Sequence, residues 1–273
     1  MSKGRNAWIA LAGILAGAGM VAAIDGFTDT PMLPTAPWHV HDPNRPQPRV
    51  VEPGAVPSPE PVKPPSDAVV LFDGTNFDQW VGDKGAPTWK LEDGAMTAVP
   101  GQGGIRTKQK FGDCQLHIEW RAPNPPRGQG QDRGNSGVFL LNRYEIQVLD
   151  CYQAQTYADG TTGALYGAWP PLVNACRKPG EWNTYDIIFT GPRFKENQLE
   201  TPAYVTVLLN GIVLHNHQAE LGPTVWRAVA KYSPQPSEDV IALQEHGHPV
   251  SFRNIWVRKL GTYDEAPKAE ETK

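Results

Sequence analysis

The chain has 273 residues, a formal net charge of -4, and 27 glycines and 27 prolines. No cluster of Lys and Arg forms a nucleic-acid footprint, so DNA and RNA are excluded as partner classes. The Gly and Pro content argues against long helices, and the length is ample for one large domain with a sizeable core.

The chain opens with Lys3 and Arg5, followed by an uncharged apolar stretch over residues 8–23 that ends in Val21-Ala-Ala23. A positive start, an apolar run and small residues at its end predict an export signal over residues 1–23, cleaved after Ala23. The alternative is a transmembrane anchor, but the run is short against the roughly 20 residues needed to span a bilayer. The expectation is therefore a periplasmic or extracellular protein with no stable membrane insertion after cleavage.

Residues 24–67 follow as a proline-rich linker or strap, with prolines recurring every few residues from Pro31 onward. Proline fixes φ and removes an amide donor, so this segment is expected to add no strand to a sheet. Trp38-His-Val-His-Asp42 interrupts it, and is read either as a patch docked on the folded domain or as part of a solvated tether.

Residues 68–262 carry the strand signals, and residues 263–273 form a charged tail expected to be disordered. In Gln115-Leu-His-Ile-Glu-Trp120, Leu116, Ile118 and Trp120 share one face; in Tyr144-Glu-Ile-Gln-Val148, Tyr144, Ile146 and Val148 do. Further strands are predicted over residues 184–189, 203–209, 241–246 and 252–257. Asn210-Gly211 between two apolar runs signals a type I′ hairpin. Many short strands without crossover helices predict an all-β fold, an antiparallel two-sheet sandwich or jelly roll. The three cysteines, Cys114, Cys151 and Cys176, allow at most one disulfide and match no zinc spacing.

Alternation also selects candidate site residues. If Tyr144, Ile146 and Val148 face the core, Glu145 and Gln147 share the outer face, about 7 Å apart by strand geometry. That face is either solvent or a ligand groove. The segment Ile241-Ala-Leu-Gln-Glu-His246 places Gln244 and His246 beside apolar residues in the same way. His suits proton transfer near neutral pH, although an orienting role in the Gly247 turn is the plainer reading. Asn135 in a glycine-rich approach, Asp150 at the strand end, Tyr166 between glycines and Lys178 before a strand complete the candidate set. Trp169 and Trp182 are possible sugar platforms, with a core role the commoner outcome.

The motifs together resemble a known family. They are Leu71-Phe-Asp-Gly-Thr-Asn-Phe-Asp-Gln-Trp80, Gly134-Asn-Ser-Gly-Val-Phe139, Tyr144-Glu-Ile-Gln-Val-Leu-Asp150, Gly180-Glu-Trp-Asn-Thr-Tyr185, and Leu243-Gln-x-His-Gly247 with Phe252-Arg-Asn-Ile255. In this order they resemble the 3-keto-disaccharide hydrolase family, also described as 3-keto-glucoside 1,2-lyase with 3-keto-2-hydroxy-glucal hydratase activity. The resemblance implies a concanavalin-like jelly roll and a 3-keto-glycoside substrate. Laminarinase-type glycosidases instead carry Glu-x-Asp-x-Glu on one strand. Here that register reads Glu145, Gln147 and Leu149, without the pair of carboxyls about 5–5.5 Å apart that a retaining mechanism needs.

The implied chemistry is different. A ketone at C3 acidifies the C2 hydrogen; a base removes it, an acid assists departure of the C1 oxygen, and water adds back. Glu145 and His246 are the expected base and acid in either order, with Gln147, Gln244, Asn135, Asp150, Tyr166 and Lys178 binding substrate. No cofactor is required by this reading, and a divalent metal ion is left open. A lectin-like binding module and a conventional glycoside hydrolase are the rival readings, which fold alone does not separate.

Overall fold

A computed structural model describes residues 24–54 and 61–261. The expected export signal at 1–23 and the charged tail at 263–273 lie outside the described residues. Seventeen strands follow in chain order: β1 Arg49–Val50, β2 Val69–Phe72, β3 Trp80–Gly82, β4 Lys90–Glu92, β5 Ala95–Thr97, β6 Ile105–Thr107, β7 Cys114–Arg121, β8 Ser136–Leu140, β9 Tyr144–Val148, β10 Val173–Asn174, β11 Asn183–Thr190, β12 Arg193–Lys195, β13 Gln198–Thr201, β14 Tyr204–Leu209, β15 Ile212–Ala219, β16 Ala242–Leu243 and β17 Ser251–Lys259.

Two antiparallel sheets face each other. The larger has eight strands in the order β15-β14-β11-β7-β17-β5-β4, with β2 also on β17; the smaller has five, β3-β6-β16-β8-β9. The apolar faces read from alternation meet between them. Leu116, Ile118 and Trp120 of β7 pack in one core with Tyr144, Ile146 and Val148 of β9. Burial of these large side chains drives the sandwich together. The hairpin at Asn210-Gly211 forms as its sequence predicts, with both residues at positive φ, 54° and 79°. All three cysteines are free and buried.

Two expectations are corrected. The strand expected over residues 241–246 is only Ala242–Leu243. The Glu245 carboxylate accepts hydrogen bonds from the amides of Gly101, Gly103 and Gly247 at 3.1, 3.3 and 2.5 Å, and this turn ends the ladder. In the proline-rich segment, Arg49–Val50 pairs in parallel with Val173–Asn174, outside both large sheets. Arg49, Val50 and Val51 lie between Pro48 and Pro53 and keep their amides, so a two-residue ladder is available there.

The strap is built onto the domain through the Trp38-His-Val-His-Asp42 patch. His41 is 0% exposed; its amide donates to the Asp159 carboxylate at 2.9 Å and its Nδ1 lies 3.4 Å from the other Asp159 oxygen. Arg45 approaches the same carboxylate at 3.8 Å and donates to the Ala168 carbonyl at 3.1 Å. The strap therefore neutralises a carboxylate that is otherwise buried in the domain.

Candidate active site

On β9 the period of two separates core from site. Tyr144, Ile146 and Val148 point inward, so Glu145 and Gln147 emerge on the opposite face of the small sheet. That face is covered, leaving a cavity of about 650 Å³, within the ordinary range for small-molecule sites. Its floor holds Phe139, Glu145 and Gln147; Tyr157, Tyr166, Thr224 and Trp226 form one side, and Gln131, Asp132, Asn135, Gln244 and His246 another. The strap closes it with Asp25, Gly26 and Phe27.

Glu145 is 5% exposed. Its carboxyl takes no hydrogen bond or ion pair from the described residues, and burial alone pushes its pKa up to about 8. Space for it comes from the neighbouring strand: a Cβ at Gly137 would overlap Glu145 Oε1. Gln147, by contrast, is fully held. Its Nε2 donates to Gln131 Oε1 at 3.1 Å and to the Gly160 carbonyl at 3.3 Å, while its Oε1 accepts from the Val148 amide at 3.0 Å. Asn135 joins this network, donating to the Gln131 carbonyl at 2.9 Å.

The Tyr157 and Tyr166 hydroxyls share a 2.8 Å hydrogen bond. Burial pushes the Tyr166 phenol up to about 12 and the Tyr157 phenol higher, so both are protonated at neutral pH and one donates to the other. Behind them the strap's His41 ring packs at 4.3 Å from Tyr157 and 4.8 Å from Tyr166, centroid to centroid. Gln244 Oε1 is buried without a hydrogen-bond partner among the described residues. A buried acceptor left open beside a cavity is a natural contact for a ligand hydroxyl.

The structure thus brings Glu145, Gln147, Asn135, Tyr166, Gln244 and His246 to one cavity. His246 lies at its exposed rim, on the turn after β16 rather than on a strand. Asp150 and Lys178, expected among the substrate-binding residues, do not line it. Asp150 is buried in an ion pair with Arg133 Nε at 2.8 Å and caps the Tyr152 amide at 3.1 Å. Lys178 is exposed, in a turn closed by Glu181 N to Lys178 O at 3.0 Å. Trp182 is clasped between Arg121 and Arg253 at 4.6 and 4.3 Å, and Trp169 donates to the Ala219 carbonyl at 3.0 Å. The tryptophan at the cavity is instead Trp226, 66% exposed and edge-on to Phe27 at 6.2 Å.

Gln131, Tyr157, Trp226 and the strap residues escape sequence reasoning because they lie on irregular segments, where no period reveals facing. The aromatic-histidine patch at residues 38–42 is the one signal for the strap's role. Among the described residues, no group of three or more His, Cys, Asp or Glu side chains is arranged to hold a metal ion.

A two-sheet antiparallel sandwich with a buried acid, amides and aromatic rings on the outer face of its smaller sheet defines a jelly-roll class with a cavity on that face. Residues 67–258 match the 3-keto-alpha-glucoside-1,2-lyase-like domain, and the chain belongs to that family. It is 25% identical over 237 residues to the 3-keto-disaccharide hydrolase of Bacteroides thetaiotaomicron, covering 70% of this chain and 78% of that one. A crystal structure of a Parabacteroides distasonis protein, described only provisionally as a glycosyl hydrolase, is 48% identical with a TM-score of 0.70, covering 74% of this chain and 93% of that one. A second protein of that organism, provisionally described in the same words, shares the fold at 21% identity and a TM-score of 0.53, over 71% and 94% of the two chains.

Proposed function

We propose that the protein cleaves 3-keto-glycosides outside the cytoplasm, by elimination across C1 and C2 followed by hydration. The observation that carries this reading is Glu145, a lone buried carboxyl with its pKa raised to about 8, facing the cavity with no partner among the described residues. A base of that pKa is matched to proton abstraction near neutral pH. The second carboxyl of a double-displacement site is not beside it on the strand, where Gln147 stands and is held by Gln131 and the Val148 amide.

In this mechanism the carboxylate of Glu145 takes the proton from C2, which the C3 ketone has acidified. Charge develops on the ketone oxygen, and of the hydrogen-bonded phenols Tyr157 and Tyr166, the one that does not donate to its partner is the donor available to it. The C1–O bond then breaks, the electron pair leaving with the oxygen, which is protonated as it departs with His246 assisting from the rim. A C1=C2 double bond remains. Water adds its oxygen to C1, and a proton returns to C2, giving 3-keto-glucose. Gln244 offers an acceptor to a sugar hydroxyl through its open Oε1. The family match and the named activity of the Bacteroides relative support this substrate class. The expected export signal supports the location.

The test is a substrate pair. Purified protein is incubated with a 3-keto-disaccharide and with its unoxidised parent. Release of 3-keto-glucose from the first, with negligible glucose from the second, is expected. Comparable turnover of both would establish a conventional glycoside hydrolase, and tight binding of either without turnover a lectin-like module.

A further inference from the structure

A second cavity, of about 570 Å³, adjoins the first, and Asp25 and Gln129 line both. One side of it is the strap, through Gln47, Pro48 and Val50; the other is the segment that follows β9, through Gln153, Ala154 and Gln155. The two cavities are therefore successive chambers under one strap, with Asp25 and Gln129 at the boundary.

The lining of this second chamber is unlike that of the first. Among the described residues that line it, no carboxyl is buried and none is a tyrosine. Four glutamines line it: Gln47, Gln129, Gln153 and Gln155. Gln47 Nε2 is buried with no hydrogen-bond partner among the described residues. A carboxamide offers two donors and an acceptor from one group, which matches hydroxyls that both give and take hydrogen bonds. A buried amide left open is costly unless a ligand or water satisfies it. Pro48 and Val50 supply apolar surface of the kind that covers the C–H face of a sugar ring.

We propose that this second chamber is the leaving-group subsite: it holds the neutral sugar that departs with the C1 oxygen while the 3-keto ring lies against Glu145. The inference rests on the reaction proposed above and adds to it a preference for disaccharides over small glycosides. It also gives the strap a role in specificity, since Gln47 is carried on it. Arg133, which lines the chamber, has its Nε committed to Asp150 at 2.8 Å, so the pair presents no free net charge to an ionic leaving group.

The experiment uses the whole chain with Gln47→Ala, Gln155→Ala and the cavity-filling Ala154→Trp. Each is assayed on a 3-keto-disaccharide and on methyl 3-keto-glucoside, whose leaving group is too small to reach the chamber. Loss of one sugar hydrogen bond is expected to raise KM for the disaccharide about tenfold, with kcat/KM for the methyl glycoside unchanged. Equal effects on the two substrates, or none on either, would overturn the subsite. Calorimetric titration with the unoxidised parent disaccharide reads the chamber without turnover: wild type should bind it and Ala154→Trp should not. Failure of the wild type to cleave any 3-keto substrate would overturn the proposed reaction. The titration still decides the subsite in that case, because equal binding by wild type and variants would refute it.

Discussion

The carboxyl of Glu145 lies over Gly137, its diagonal neighbour on the adjacent strand, in the space that any side chain at 137 would fill. A glycine in a strand interior ordinarily weakens it; here its missing side chain makes the pocket for the acid. Gly137→Ala should keep the fold, since the backbone at 137 needs no unusual φ, yet displace the carboxyl. A misplacement on the order of 1 Å costs roughly 10²-fold in rate. Steady-state kinetics with circular dichroism as a folding control checks this, and full activity in the alanine variant would show that the carboxyl position is irrelevant.

Glu145 itself gives a prediction with two signs. As a base it works ionised, so kcat/KM should rise with pH through a midpoint near 8, the value to which burial pushes its pKa, and level off above it. Glu145→Gln should remove that limb and lower kcat by about 10²–10⁴-fold. Stability should move the other way. A carboxyl whose pKa is higher folded than unfolded loses stability as pH rises from about 4.5 to about 8. The Gln variant lacks that loss and should be the more stable protein at pH 9 by urea unfolding. A variant that is both inactive and less stable there would point to a structural role.

The strap predicts a stability effect far along the chain. Asp159, in a short 3-10 turn, is 0% exposed and is shared by His41 and Arg45 of the strap. Asp159→Ala leaves Arg45 buried beside an uncompensated hole, and breaking such a buried pair costs about 3–5 kcal/mol. Chemical denaturation should register most of that, and limited proteolysis should cut near residue 45 sooner than in wild type. An unchanged midpoint would mean the strap is held elsewhere.

How much of the fold and site is legible in the sequence depends on regularity. The core faces of β7 and β9 and the Asn210-Gly211 hairpin follow from a period of two and one turn rule, so alternation alone puts Glu145 and Gln147 on one face. The period fails where loops build the site. Gln131 and Tyr157 reach the cavity from turns, and Trp226 from an irregular stretch before β16. Asp150 obeys the pattern: it has the parity of Tyr144, Ile146 and Val148, opposite to Glu145 and Gln147, and past the end of β9 it is buried in its pair with Arg133. His246 reaches the cavity although its strand does not form, because the Glu245 turn carries it to the rim. Prolines keep the strap out of the two large sheets, but composition says nothing about which surface a strap covers.

A pH effect unrelated to catalysis belongs to the large sheet. His117 Nδ1 hydrogen-bonds Asp186 Oδ1 at 2.7 Å, the ring lies 3.8 Å from Glu119, and it stacks on Trp256 at 4.8 Å. Burial alone would lower its pKa, but the two carboxylates outweigh burial and raise it to about 9. The stability it contributes is therefore complete below about 6.5 and lost as pH rises through about 9. The difference in urea midpoint between wild type and His117→Gln should be clear at pH 6 and close to zero at pH 10. A difference independent of pH would mean the imidazole contributes by packing alone.

The central claim, removal of the C2 hydrogen before the glycosidic bond breaks, is tested most directly by isotope. A 3-keto-disaccharide deuterated at C2 of the oxidised ring is cleaved in ordinary water, and the released 3-keto-glucose is examined by mass spectrometry. A parallel sample of C2-deuterated 3-keto-glucose, incubated alone and with Glu145→Gln, corrects for spontaneous exchange. Elimination and hydration through Glu145 predict that the product carries hydrogen at C2 and that kcat is slowed by the deuterium. Product that keeps its deuterium, formed at the same rate as from unlabelled substrate, would contradict the mechanism.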